Sequence, residues 1–317
     1  MCMRTPLKII AIIILLLLLI GLWFFYGGGK QKLFPFQWTV VNVAEGIQGD
    51  AHLLRFHDRY WLIDAGHESA AGTLIAYLKR KNIGVLDAVI ITHAHTDHYG
   101  GLIPLLASGI RVNEVYINFP DEKKCLTEPW GCSLQEMNNV QAAIRDHGAR
   151  QKSIVKGMKQ EFAKDLRMEV IHVYGDNNSP LNHPLDINDM SALVMIYHGE
   201  SRYFLTGDLN VRLGDWLTKN DRPGILADLL KVPHHGADSL PHNEFFQAVG
   251  AKDTIVTAPR LLWEGQLCLR IKQLLPNSYV SGVHGQIDIY SYKSGYLILC
   301  ERGCLPKIRN KVSRDRL

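Results

Sequence analysis

The sequence predicts an α/β protein, a layered α/β/β/α sandwich behind one N-terminal membrane helix, and three observations carry that reading. An uninterrupted apolar run, Ile9 to Tyr26, stands near the start. Beyond it, short segments rich in branched and aromatic residues alternate with amphipathic ones. One of these strand-like segments ends in a dense run of metal-ligand residue types, His93-Ala94-His95-Thr96-Asp97-His98.

The apolar run is 18 residues long and follows Arg4 and Lys8. At about 1.5 Å per helical residue it nearly crosses a hydrocarbon layer of roughly 30 Å. Trp23, Phe24, Phe25 and Tyr26 crowd its far end, where aromatic rings suit a membrane interface. The run exceeds the apolar core of a cleaved signal peptide and no Ala-x-Ala site follows, so an uncleaved signal anchor is expected. Arg4 and Lys8 before it are matched by Lys30 and Lys32 after it, which leaves only a modest bias toward a domain outside the cytoplasm. Gly27-Gly28-Gly29 and the polar residues after it read as a joint. Residues 1–33 are thus anchor and linker, and 34–317 form one folded domain.

Composition agrees with a globular domain: 47% of the chain is hydrophobic and 21% charged, which excludes general disorder. A net charge of +4 is too small and dispersed to argue for a nucleic-acid partner by itself. The six cysteines form no CxxC zinc knuckle. Cys125 and Cys132 are close enough in sequence for a disulfide in an exported domain, and equally read as loop thiols.

Strands are expected at Trp38–Val43, Ala51–Phe56 and Tyr60–Ile63, with a His57-Asp58 turn between the last two. A helix over Ser69–Lys81 precedes a buried strand, Asp87–Thr92. The alternation continues with helices near Gly100–Ser108, Ser133–Asp146, Val211–Leu217, Asn243–Val249 and Gln266–Leu275. Intervening strands are expected at Glu114–Ile117, Met168–Tyr174, Ser191–Tyr197, Arg202–Thr206, Leu229–Val232 and Thr254–Val256, with Ile287–Tyr290 and Tyr296–Cys300 closing the chain.

In the His93–His98 run, alternate residues His93 and His95 can face one point while Asp97 and His98, at a helix start, face another. That geometry suits two metals. Imidazole nitrogen with carboxylate oxygen favours Zn²⁺, and Mn²⁺ or Fe²⁺ where oxygen ligands are more numerous. A capping aspartate explains Asp97 alone but leaves three histidines without a purpose.

The HxHxDH run followed by Gly100-Gly101 resembles the signature of the metallo-β-lactamase superfamily. Val41-Asn42-Val43, Gly49-Asp50-Ala51 and Leu62-Ile63-Asp64-Ala65-Gly66 resemble opening strands of the subgroup related to the hydrolase domain of the DNA-uptake channel ComEC. Leu205-Thr206-Gly207-Asp208 and Lys231-Val232-Pro233-His234-His235-Gly236 resemble that subgroup's later motifs, in order. The resemblance implies one metal held by His93 and His95, a second by Asp97, His98 and one histidine of the His234-His235 pair, with His234 preferred, and Asp208 bridging them. It implies a structural or orienting role for Asp64 at the site floor. Many relatives carry a further histidine before the strand that leads to the Asp208 motif; here Ile187-Asn188-Asp189-Met190-Ser191 stands there and His183 precedes a proline. The first metal is therefore expected to be less fully ligated.

A hydroxide bridging two metals, oriented by Asp208, would serve a phosphodiesterase or nuclease, with His235 or His284 stabilising the oxyanion or protonating the leaving group. The same chemistry would serve amide or ester hydrolysis, including β-lactams, and a non-catalytic, membrane-tethered metal-binding module is the third class. Beyond the anchor there is no multi-spanning permease, so a DNA-import role does not transfer. No protein partner is identifiable.

Overall fold

The computed structural model describes residues 5–26, 33–174, 186–237, 239–265, 269–275 and 277–310. The Gly27–Lys32 joint, His183, Cys2 and Cys268 lie outside the described residues. In chain order the first strands are β1 (Phe36–Val40), β2 (His52–Phe56), β3 (Arg59–Ile63), β4 (Val85–Leu86), β5 (Ala88–Ile90), β6 (Arg111–Val112), β7 (Glu114–Tyr116) and β8 (Arg150–Lys152). They are followed by β9 (Lys159–Ala163), β10 (Leu166–His172), β11 (Leu193–His198), β12 (Ser201–Leu205), β13 (Leu229–Lys231), β14 (Asp253–Val256), β15 (Ser278–Val280), β16 (Ile287–Tyr292), β17 (Gly295–Cys300) and β18 (Lys307–Asn310).

Two large sheets lie face to face. One runs β18-β17-β16-β1-β2-β3-β5-β7-β8 and the other β15-β14-β13-β12-β11-β10-β9. Between them is a core of aromatic and branched side chains, including Phe36, Trp38, Leu54, Phe56, Ile63, Val194, Ile196 and Tyr203. The Phe56 and Phe162 rings stack across this space at 3.7 Å. Helices cover the outer faces. On the first sheet, Ala71–Arg80 buries Leu74, Tyr77 and Leu78, spaced for one helical face, and each leucine so buried contributes about 1.5–3 kcal/mol. On the second sheet, Val211–Asn220 and Asn243–Val249 bury Leu213, Leu217, Phe245 and Phe246. The result is the expected four-layer α/β sandwich.

Most expected elements are present with ends shifted by a few residues. The expected helix over Ser69–Lys81 is a 3₁₀ turn, Glu68–Ala70, followed by Ala71–Arg80, because His67 caps the turn through its ring, which accepts from the Ser69 amide. Strands β4, β6, β8, β9, β15 and β18 have no counterpart in the sequence reading. β8 is wholly exposed and reads Arg-Gln-Lys, and β18 alternates half-buried with exposed residues, so neither carries an apolar signal. Cys125 and Cys132 form a disulfide, as do Cys300 and Cys304.

The N-terminal segment Thr5–Tyr26 is a single 22-residue helix. Its apolar side chains from Ile12 to Leu19 are 50–63% exposed, so this stretch packs little against the sandwich. Taken over the described residues, no helix is long and apolar enough to cross a membrane, and the spanning helix expected from the sequence is not established by the fold.

Gly101, the second glycine after the histidine run, donates its amide to the Gly66 carbonyl at 2.8 Å, and a Cβ there would stand 2.1 Å from the Ala65 carbonyl oxygen. This close approach docks the metal-ligand turn against the end of β3. Gly101→Ala is expected to cost on the order of 1–3 kcal/mol by forced overpacking, read as a lowered melting temperature of the detergent-purified chain; an unchanged temperature would remove the docking role.

Candidate metal centre

Parallel pairing of β3 with β5, and of β12, β13 and β14 with one another, gathers the C-terminal ends of these strands at one edge of the sandwich. Asp64 follows β3, His93–His98 follow β5, Asp208 follows β12, Lys231 ends β13 and Thr257 follows β14. Asn188 joins them from the 3₁₀ turn Ile187–Met190 that leads into β11. Above them opens a cavity of about 860 Å³ lined in part by His95, Asp97, Trp130, Asn188, Asp208 and His234.

Asp97, His98, Asp208 and His235 form the centre of this floor, each offering a ligand atom within 4.8 Å of the others. His235 Nε2 lies 3.1 Å from Asp97 Oδ2 and 3.3 Å from Asp208 Oδ2, and His98 Nε2 lies 3.2 Å from the same Asp208 oxygen. The opposite ring nitrogens are tied down. His98 Nδ1 sits 2.8 Å from Asp64 Oδ2, and His235 Nδ1 sits 3.0 Å from the Thr257 carbonyl, which only accepts. Both rings therefore donate from Nδ1 and aim Nε2 at the carboxylates, the arrangement that fixes a ligating tautomer. His98 Nε2 is buried and has no hydrogen-bond partner. A fully buried nitrogen among carboxylates needs a proton or a cation, and the nitrogen-oxygen donor set fits a divalent metal.

A second grouping lies beside it. His93 Nε2 is 3.1 Å from His95 Nδ1 and 4.0 Å from Asp208 Oδ2. Asn188 Oδ1 is 2.8 Å from His95 Nδ1, and Glu128 Oε1 is 3.2 Å from His95 Nε2. The His93–His95 pair and the His98–His235 pair thus face two adjacent points on either side of Asp208.

Beneath the floor, Lys231 is wholly buried. Its ammonium contacts Asp50 Oδ2 at 2.5 Å and Asp208 Oδ1 at 3.3 Å, and donates to the Gly207 carbonyl at 2.9 Å. Gly207 adopts φ 49°, and a Cβ on it would meet the Ser191 hydroxyl oxygen at 2.9 Å. That turn lets the Asp208 amide donate to Ser191 Oγ at 3.0 Å, which fixes the carboxylate. Burial alone would raise the Asp208 pKa, but His235, His98 and Lys231 hold it well below the usual carboxylate range. For His98, burial alone would lower the pKa, yet Asp208, Asp64 and Asp97 raise it well above the usual imidazole value. His235 is raised likewise, its burial outweighed by Asp208 and Asp50. His93 is held well below the usual value, first by burial and then by His98.

The structure brings together His93, His95, Asp97, His98 and Asp208 as expected. Of the His234-His235 pair, it is His235 and not the preferred His234 that groups with Asp97, His98 and Asp208. Both residues adopt left-handed backbone, φ 48° and 54°, and this tight turn turns successive side chains apart: His235 is buried in the cluster while His234, half-buried, lines the cavity. The proton-transfer role expected of His235 is displaced with it. His284 lies elsewhere: its Nδ1 accepts from the Val280 amide at 2.8 Å within its own turn, and it does not line the cavity. Asp64 orients rather than ligates, since it also accepts from the Thr92 amide at 2.7 Å and the Thr92 hydroxyl at 2.8 Å. Asp50 and Lys231 stand inside the quoted motifs with no role assigned to them, and Glu128 is absent from the sequence expectations. A lone lysine in the apolar segment Leu229-Leu230-Lys231-Val232 was the available signal, because a buried ammonium demands a buried anion.

Residues 44–114 match the Metallo-beta-lactamase superfamily. Over 185 residues the chain is 31% identical to ComE operon protein 3 of Bacillus subtilis (strain 168), an alignment covering 58% of this chain and 21% of that protein. Over 235 residues it is 23% identical to the uncharacterized protein YcaI of Escherichia coli (strain K12), covering 73% of this chain and 26% of that one. The alignments thus span about a quarter or less of these curated relatives. The crystal structure of the metallo-beta-lactamase fold protein YhfI from Bacillus subtilis superposes with a TM-score of 0.50 at 16% identity, covering 78% of this chain and 95% of that one, a likeness of fold.

Two outcomes follow from the electrostatics. Removing the Lys231 charge leaves Asp50 buried and unpaired, so Lys231→Met should destabilise the chain by about 3–5 kcal/mol, seen as a fall in melting temperature on the order of 10 °C; a shift near zero would refute the pairing. Because the raised pKa values of His98 and His235 favour their protonated forms, a metal must displace those protons. Metal affinity should therefore weaken as pH falls from about 8 to about 6, with proton release on binding, measured by titration calorimetry in buffers of differing ionisation enthalpy. Affinity independent of pH would contradict the assigned ligand atoms.

Proposed function

Residues 44–114 carry a metallo-β-lactamase superfamily domain, and from that premise we propose that the chain is a metal-dependent phosphodiesterase or nuclease tethered to a membrane. The observation that carries this reading is the convergence of Asp97, His98, Asp208 and His235 on the floor of an open cavity, next to His93 and His95. Divalent ions bound there would lower the pKa of a coordinated water and neutralise charge on an attacked phosphorus centre. Zn²⁺ suits the imidazoles, and Mn²⁺ or Fe²⁺ the oxygen-rich half.

The chain's own residues supply position. Lys231 and Ser191 fix Asp208 from behind, so the carboxylate needs no rearrangement as substrate binds. Gln48 donates to Asp97 Oδ2 at 3.2 Å and holds that carboxylate at the cavity edge. His234 lines the cavity where a phosphoryl oxygen or a leaving group would lie, within reach to donate a hydrogen bond there. Trp130, 66% exposed at the rim, offers a flat face on which a base can stack. Among the described residues lining the cavity there is no lysine or arginine, so neutralising a phosphodiester falls to the metals. That favours a single strand or a small diester over a long duplex, whose backbone calls for many cationic contacts.

The tether rests on the apolar sequence run Ile9–Tyr26 and on the exposed apolar side chains along the helix Thr5–Tyr26, which support attachment to a membrane without placing the helix across it. Two disulfides favour an oxidising compartment, which supports placing the domain outside the cytoplasm.

The metal-reconstituted chain is expected to release p-nitrophenol from bis-p-nitrophenyl phosphate and to cut single-stranded DNA, and to leave nitrocefin intact. Turnover of nitrocefin alone would replace this reading with amide hydrolysis. His235→Ala should lose bound metal, whereas His234→Ala should retain it and lower kcat by about 10²–10⁴-fold; the reverse pattern would exchange their roles.

A further inference from the structure

Among the described residues the first half-site has two histidines of its own, His93 and His95; the neighbouring His98 ring, 4.1 Å from that of His93, belongs to the other grouping. Proton accounting shows what completes it. The Thr92 hydroxyl donates its proton to Asp64 Oδ2 at 2.8 Å, so toward His93 Nδ1, 3.1 Å away, it can only accept. His93 therefore carries its proton on Nδ1 and turns a lone pair outward from Nε2. Glu128, a carboxylate, takes the proton of His95 on Nε2 at 3.2 Å and leaves a lone pair on Nδ1. Asn188 Oδ1 lies 2.8 Å from that Nδ1 and is also an acceptor. Three acceptor atoms, His93 Nε2, His95 Nδ1 and Asn188 Oδ1, thus approach one another with no proton to share. Their spacings of 2.8 and 3.1 Å are close to the edge of a coordination shell, about 3 Å for ligands roughly 2.1 Å from a metal.

Glu128 also accounts for why the three atoms meet. Its Oε2 accepts from the Ile187 amide at 2.7 Å, the residue adjoining Asn188, while Oε1 holds His95. One buried carboxylate thereby ties the histidine run to the turn that carries Asn188. It stands in the seven-residue interval closed by the Cys125–Cys132 disulfide.

We propose that Asn188 Oδ1 is the third protein ligand of the first metal, and that Glu128 is the positioning residue that holds it against His95. The inference rests on the two-metal reading above and assigns residues that the sequence motifs do not. A glutamine at 128 has one carbonyl oxygen and can accept only one of the two N–H groups that the carboxylate serves, so Glu128→Gln weakens the half-site without removing a ligand.

The test is cobalt binding by the full-length, detergent-purified chain after chelation, followed by calorimetry and by the visible absorption of Co²⁺. The wild type is expected to take up two equivalents. Asn188→Ala should retain one and bind the other at least about 10-fold more weakly, with a changed ligand-field band; Asn188→His should restore two. Glu128→Gln should keep two equivalents, with the first weakened by about 10–100-fold, as expected when a residue that orients a ligand is altered. If the wild type takes up two equivalents and both Asn188→Ala and Asn188→His match it in affinity and spectrum, Asn188 donates its amide to His95 instead and the proposal falls while the two-metal reading stands. If the wild type takes up no cobalt, both fall. Equal melting temperatures of the variants confirm that any metal loss is local; Asn188→His carries the test should Asn188→Ala fail to fold.

Discussion

Four carboxylates, Asp50, Asp64, Asp97 and Asp208, meet at the edge of an apolar sandwich, three of them almost wholly buried. Burying even one unpaired carboxylate costs several kcal/mol, so the local structure is organised around supplying positive charge. Lys231 offsets Asp50 and one side of Asp208 from below. From above, His98 and His235 offset Asp64, Asp97 and the other side of Asp208, as imidazolium ions or as neutral ligands of a cation. The fold stays stable only while this balance is kept, and the balance makes the site selective for cations.

The sandwich topology makes such a concentration affordable in geometric terms. Parallel strand ends bring β3, β5, β12, β13 and β14 to one edge, where each chain leaves its sheet through a turn with unpaired amides. Those amides then serve the site: Thr92 donates to Asp64, Asp208 to Ser191 and Ile187 to Glu128. The strain in the Asp64, His234 and His235 backbones, all at positive φ, lies where these turns are tightest, and such strain persists only when neighbouring contacts over-determine it.

The fold was legible in the sequence wherever periodicity was strong. Ala71–Arg80 and Asn243–Val249 announce themselves through buried residues at helical spacing, and β5 through a continuous apolar run before His93. β8 and β18 escaped because edge strands carry charge on purpose and alternate weakly. At the site, the compact His93–His98 run was legible because three imidazoles within six residues have no structural use. The choice between His234 and His235 was not, since it depends on which of two adjacent left-handed residues points inward, a fact of the turn's dihedral angles. Asp50 and Glu128 lie far along the chain from the groups they serve, and a lone carboxylate carries no sequence mark of what it will face. Only Lys231 left a trace, as a charge in an apolar strand.

The two halves of the centre are built from different materials, and that difference shapes what the site can do. The half at Asp97, His98 and His235 has two anionic oxygens in reach, counting Asp208, whereas the half at His93 and His95 draws on neutral imidazoles and lies 4.0 Å from the Asp208 oxygen. A divalent cation in the first would gain charge compensation that the second cannot match, so one ion would be held tightly and the other more loosely. Both positions adjoin the cavity, whose wall includes Asn188 and His95 from the looser one and Asp97 and Asp208 from the other. A weakly ligated cation retains coordination positions for oxygen atoms of a substrate, and an anionic diester would itself supply the charge that the protein withholds. In a cavity whose described wall has no lysine or arginine, binding of substrate and of the second ion would then reinforce each other, each completing the electrostatic balance of the other.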